Sequence, residues 1–302
     1  MANSQPVTVV SAAGPARMWW FFRRAWVAAY EDNCFGIAKG AAYSALMSLF
    51  PVLTTVTALL VQANADAVSD MLADLIFRAA PPGTDDLLQT FLTQQGKRPG
   101  TVLVVAVVLS IWAASGIMMS LMEGFQAAYS LPGGRPFLKQ RGVAAVLVIC
   151  AVVPLVLGSA MILFGARTER ELIRWAGLAK ESAPTVGVVL LSRVVRDVTA
   201  FVSIMLAAAL LYFIGPNRPM RFATVLPGAG VTTVMWLLST QAFGWYVGNI
   251  ANYNVLYGSV AAVIALVVWM YVLAVVALVG CEFNAVMEAE QRALAGVRVV
   301  RR

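Results

Sequence analysis

The chain holds no histidine in 302 residues, which excludes imidazole general bases, imidazole metal ligands and Ser-His-Asp triads together. Carboxylate, amine, thiol and amide groups remain. Asp66, Asp70 and Asp74 recur four apart, a spacing that puts three carboxylates on one face of a helix, where they could hold a cation. The same spacing is also the solvated side of an amphipathic helix whose other side carries Val68, Met71, Leu72, Leu75, Ile76 and Ala79. Lys39, Glu123 and Glu282 each stand at the edge of a long apolar run. The other carboxylates are dispersed among loops and helix ends, with no compact acidic cluster of the kind a two-metal site requires. Neither a catalytic residue, a metal site nor a cofactor site is therefore expected, and the chain does not read as an enzyme. Cys34, Cys150 and Cys281 lack CxxC spacing and read as small apolar packing residues. Gln241, Asn249, Asn252, Tyr253, Asn254 and Tyr257 offer amides and hydroxyls without charge. That set suits a zwitterionic or sugar head group and equally suits a turn bonded within itself.

The elements that must hold these groups are set by the stretch from Phe222 to Cys281, which contains no Asp, Glu, Lys or Arg. At roughly 20 helical residues per crossing it is long enough for two, with the amide-rich Gly248 to Asn254 as the turn between them. Composition agrees: the chain is 60% hydrophobic and 12% charged with mean hydropathy +0.79, against about 45–50% and 25% in soluble domains. The net charge of +7 fits Lys and Arg in cytoplasmic loops. It does not fit a nucleic-acid surface, because no basic cluster interleaves with aromatics outside the apolar runs.

Taken in order, residues 1–16 are small and polar, expected to be disordered, and lack the apolar core of a signal peptide. Trp19, Phe22, Trp26 and Tyr30 recur at helical spacing beside Arg17, Arg23 and Arg24, the pattern of a helix lying at the membrane interface. The spans are expected at Gly40–Ala63, Thr101–Met122, Gly142–Gly165, from Arg193–Asp197 to Gly215, from Phe222 to the turn, and from Tyr257 to Asn284. Pro51, Pro154 and Pro227 fall inside spans and are candidate kinks. Between the first two spans, Asn64–Pro99 reads as two short amphipathic helices separated by Pro81-Pro82-Gly83, and Arg167–Val186 as another interfacial helix. The expected organisation is an all-α integral membrane domain of six spans over residues 17–288, followed by a basic tail over 289–302.

A set of motifs in fixed order resembles the YihY/BrkB family of bacterial inner-membrane proteins. They are Ala41-Ala42-Tyr43 with Ser48-Leu49-Phe50-Pro51, Trp112 with Ala114-Ser115-Gly116, Pro216-Asn217-Arg218, Pro227-Gly228-Ala229, Tyr253-Asn254 with Tyr257-Gly258-Ser259, Trp269-Met270-Tyr271, and Gly280 with Glu282 and Asn284. The resemblance runs from about Asp32 to Glu288. Gln126 departs from it where Asn is expected, and Cys281 where a smaller residue such as Ala is expected. The resemblance implies six helical spans and a bacterial cytoplasmic-membrane location without a settled activity, some members having once been mislabelled ribonuclease BN and others linked to serum resistance.

Two functional readings follow. One is transport, or handling of lipids or small amphiphiles, drawn from prolines and polar residues within the spans and carboxylates at their ends. The other is a non-catalytic envelope scaffold that binds a partner through its outer and interfacial helices. Membrane lipids are the expected surroundings and nucleic acid is not an expected partner. Glu282 is the sharpest candidate, with Lys39 as its expected cation and Arg218 and Arg221 as alternatives; such a pair would act as a clamp between the first and last spans, or as a gate. Most of the 22 Lys and Arg residues fall on the side that carries both termini, so both termini are expected to be cytoplasmic and residues 64–99 outside. Reporter fusions at Gly83 and at the C-terminal tail should give opposite signals, and equal signals would overturn the six-span map.

Overall fold

A computed structural model describes residues 15–62, 100–132, 134–175, 186–249 and 259–300. Among them every regular element is an α-helix: α1 (Pro15–Glu31), α2 (Cys34–Gln62), α3 (Gly100–Ala128), α4 (Phe137–Trp175), α5 (Val186–Ile214), α6 (Phe222–Asn249) and α7 (Ser259–Val300). The helices α2 to α7 are long and apolar enough to cross a membrane. Hydrocarbon supplies no hydrogen-bond partners, so a spanning segment must bond its own backbone, and these Ala-, Val- and Leu-rich runs do so as unbroken helices. The short connections use residues that tolerate a left-handed backbone. Asn33 at φ 54° separates α1 from α2, and Ser130 at φ 48° follows α3.

The six long helices form a closed ring. Each packs on the next in sequence, and α7 returns to α2; α7 also touches α3, and α1 lies along α7. The main buried cluster lies toward one end, joining Cys34, Ala38 and Ala41 of α2, Leu121 and Phe125 of α3, Ala209 and Tyr212 of α5, Val225 and Ala229 of α6, and Leu278 to Cys281 of α7. Outward positions such as Val104, Val108, Val153, Leu157, Leu238 and Ile264 are exposed, as expected where lipid rather than water is the solvent.

The tightest crossing is between α6 and α7. A Cβ at Gly228 would collide with the Gly280 carbonyl and the Asn284 amide, and one at Gly280 would collide with Thr232 Oγ1 and Tyr212 OH. The missing side chains leave room for a polar node: the Tyr212 hydroxyl donates to the Ala277 carbonyl at 2.6 Å and meets Thr232 Oγ1 at 2.5 Å. Three helices are thereby joined through one fully buried tyrosine.

Several boundaries differ from expectation. α4 continues through Arg167 to Trp175 as one helix, because neither Pro nor Gly occurs between Ala166 and Trp175 and the charged residues there are good helix formers. α7 likewise runs past Glu288 to Val300, so the basic stretch up to that point is helical; Glu288 and Arg292 pair at i,i+4, 2.5 Å apart. α2 starts at Cys34, ahead of Gly40. α1 starts at Pro15 and is amphipathic, burying Phe21, Ala25 and Ala29 while exposing Met18, Trp19 and Tyr30. Pro51, Pro154 and Pro227 lie inside continuous helices. The short helices expected over 64–99 lie outside the described residues. Substituting Gly280 with Ala should destabilise the protein by about 3 kcal/mol, the upper end for overpacking. A melting temperature in detergent within a degree of the parent would show that α6 and α7 can move apart without loss.

Candidate functional site

Four consecutive α7 residues, Cys281, Glu282, Phe283 and Asn284, are all buried, so this stretch is enclosed by neighbours around its full circumference. On the side of the α1–α2 turn stands Glu282, 1% exposed. Cys34 Sγ–H donates to its Oε1 at 3.4 Å, and the Asp32 carboxyl lies near enough for the two to influence one another's charge. Burial raises the half-buried Asp32 carboxyl above its ordinary 3.8; Glu282 pulls it back, and the charge of Glu31 adds to the rise.

The expected pair between Lys39 and Glu282 does not form. Lys39 follows Cys34 by five positions on α2, about 140° around the helix, so when Cys34 faces α7 the lysine faces away and is exposed. Arg221 is also exposed. Arg218 bonds Glu288, which Arg292 bonds as well, and stacks over the Tyr129 ring at 4.2 Å. None of the ion pairs among the described residues includes Glu282. Glu123, the third member of the expected charged set, is exposed on α3 and takes no part.

Asn284 serves the neighbouring helix. Pro227 has no N–H, so the α6 backbone ladder is interrupted where the ring sits. One turn of α6 then turns to α7: the Gly228 N–H donates to Asn284 Oδ1 at 2.7 Å, and Asn284 Nδ2 donates to the Val225 carbonyl at 3.1 Å. The amide thus bonds the backbone of a continuous helix on either side of its proline, at a net value of about 1 kcal/mol for each bond. Gly280, Glu282 and Asn284 together bind α7 to α5, α6 and the α1–α2 turn within little more than one helical turn.

Sequence reasoning passed over several contributors. Asp32 and Cys34 carry no motif and are placed only by the turn at Asn33. Arg135 closes the C-terminal end of α5, donating to the carbonyls of Gly215 at 3.0 Å, Ile214 at 3.2 Å and Pro216 at 3.4 Å, and burial lowers its pKa. Arg141 lies four residues into α4. It donates to the Trp112 carbonyl at 2.7 Å with its guanidinium 4.3 Å from the Trp112 ring centre. Gln241 is exposed. Asn252, Tyr253, Asn254 and Tyr257 lie outside the described residues, as does the polar pocket expected from them.

A ring of membrane-length helices, closed by a last helix carrying a buried carboxyl and a buried amide, defines a polytopic helical membrane protein. The chain belongs to the Virulence factor BrkB family, whose sequence model matches residues 25–298. It is similar to YfkH of Bacillus subtilis (strain 168), named as ribonuclease-like, with 27% identity over 85% of this chain and 92% of that protein. It is also similar to UPF0761 membrane proteins of Chromohalobacter salexigens, 28% identical, and Chromobacterium violaceum, 26% identical. The matches cover 85% and 83% of this chain but only 60% and 58% of those proteins. No solved structure matches the chain.

Because Asp32 has a folded-state pKa above its unfolded one, its contribution to stability is complete below the ordinary carboxylate range and is lost as pH rises through the raised value. The melting temperature should fall across that rise in the parent, and Asp32→Asn should flatten the fall. A profile unchanged by the substitution would remove Asp32 as the cause.

Proposed function

We propose that the protein resides in the bacterial cytoplasmic membrane with both termini in the cytoplasm, and that it moves or handles a lipid or another small amphiphile, without catalysis, cofactor or nucleic acid. The observation that carries this reading is Glu282: a carboxyl 1% exposed on a membrane-length helix, with no ion-pair partner among the described residues. An ionisable group costs about 2.5–3.5 kcal/mol at mid-bilayer on insertion scales, and less near an interface, so one kept without a counter-ion is a mark of function. The Asn284 amide, bonded to the α6 backbone beside Pro227, adds a second buried polar group of the same helix to this reading.

The scaffold reading draws on the same stretch seen differently: Asn284 and Tyr212 are fully bonded, as a rigid clamp would require. Glu282→Gln separates the two, because it keeps volume and hydrogen bonding while removing the charge. In proteoliposomes screened for flux of labelled lipids and small anions, the transport reading expects near-parent thermal stability with altered flux. Lowered stability, with activity only in proportion to folded protein, would favour the clamp, and a variant normal in both respects would sink both readings.

A further inference from the structure

A surface groove of about 250 Å³ lies between α1 and the outer part of α7, lined by Arg17, Met18, Phe21, Met287 and Gln291. The two helices run antiparallel here. Phe21 meets Phe283 edge-on at 6.1 Å, while Arg17 reaches Glu290 at 3.6 Å. One turn outward therefore leads from Phe21 to Arg17 on α1, and from Met287 to Gln291 on α7. The groove is apolar toward the span and polar away from it. Its polar end is level with Glu288, which Arg218 of the α5–α6 connection and Arg292 both bind; this is where the ring of helices ends and the head groups of a bilayer would begin.

Arg17 is fixed for recognition. Glu290, only 4% exposed, holds its guanidinium from one side, and the Phe21 ring lies 5.4 Å from it on another. The Arg17 side chain is still 38% exposed, while its Nε–H is buried and makes no hydrogen bond, so only the outer guanidinium nitrogens can reach a ligand. Arg218 and Arg292 together outweigh Glu288, which they share, and exposed Arg23 on α1 adds positive charge against Glu290. We infer that this groove binds one anionic glycerophospholipid, its acyl chain between Met18, Phe21 and Met287 and its phosphate on Arg17. A free phosphate would leave the methionines and phenylalanine without a role. The apolar contacts serve any phospholipid, whereas Arg17 selects for head-group charge. The site deepens the amphiphile-handling reading and rests on it for its purpose, but it is tested by binding and not by flux, so either can fail alone.

The full chain is purified in micelles doped with phosphatidylglycerol or with phosphatidylcholine, and retained lipid is counted by native mass spectrometry. The parent should retain phosphatidylglycerol preferentially. Arg17→Gln should lower that retention about fivefold, the value of one basic residue near a charged surface, and Met287→Trp, which fills the groove, should lower retention of both lipids. Arg24→Gln, outside the groove, should behave as the parent. Equal retention of the two lipids by the parent would overturn the site. So would parent-like retention by Arg17→Gln, a loss in Arg24→Gln as large as in Arg17→Gln, or displacement of the lipid by inorganic phosphate. A melting curve accompanies each variant; if Arg17→Gln fails to fold, unchanged retention by Met287→Trp overturns the site by itself.

Discussion

Two helices can meet backbone to backbone only where neither carries a side chain at the crossing, and Gly228 of α6 and Gly280 of α7 provide that crossing here. The close approach brings Thr232 and the Ala277 carbonyl within reach of one Tyr212 hydroxyl. It also brings the Asn284 amide within reach of the two backbone groups of α6 that lie on either side of Pro227. Moving the helices apart by the width of one methyl group would leave these donors and acceptors unbonded in a medium that offers no substitute. The position of Glu282 depends on the same crossing, since it lies between Gly280 and Asn284 on the same turn.

The apolar spans were legible because the bilayer imposes a length and a charge pattern on the sequence. Their ends were less so, since a helix continues after its hydrophobic run for as long as nothing breaks it, as α4 does through Arg167–Trp175 and α7 through Glu288–Val300. Glu282 and Asn284 stood out as polar residues at the edge of an apolar run. Their partners did not stand out: Cys34 is 248 positions from Glu282, and Lys39 was preferred for its charge although its helical phase points it away. The link between Pro227 and Asn284 is likewise tertiary; proline announces a missing donor but not which distant side chain will fill the gap.

The charged groups at this end of the bundle divide by depth. Glu282 and Asp32 form the inner layer, neither of them in an ion pair among the described residues. Glu288 and Glu290 form the outer layer, each held by arginine from another part of the chain: Arg218 from the α5–α6 connection, and Arg17 from α1. The outer ion pairs fix where α1 and the α5–α6 connection sit on α7, and of the inner pair Glu282 is buried while Asp32 is half-buried.

The helix that closes the ring is also the last of the seven to be synthesised. While α2 to α6 are already in the bilayer, the Tyr212 hydroxyl still lacks its Ala277 acceptor, and Gly228 N–H and the Val225 carbonyl still lack their amide. Those vacancies face the seam that α7 will occupy. An incomplete bundle therefore advertises its own immaturity in polar groups stranded in lipid, and insertion of one helix conceals them all. Among the described helices, α7 is the one whose arrival gives α5 and α6 the partners for these groups.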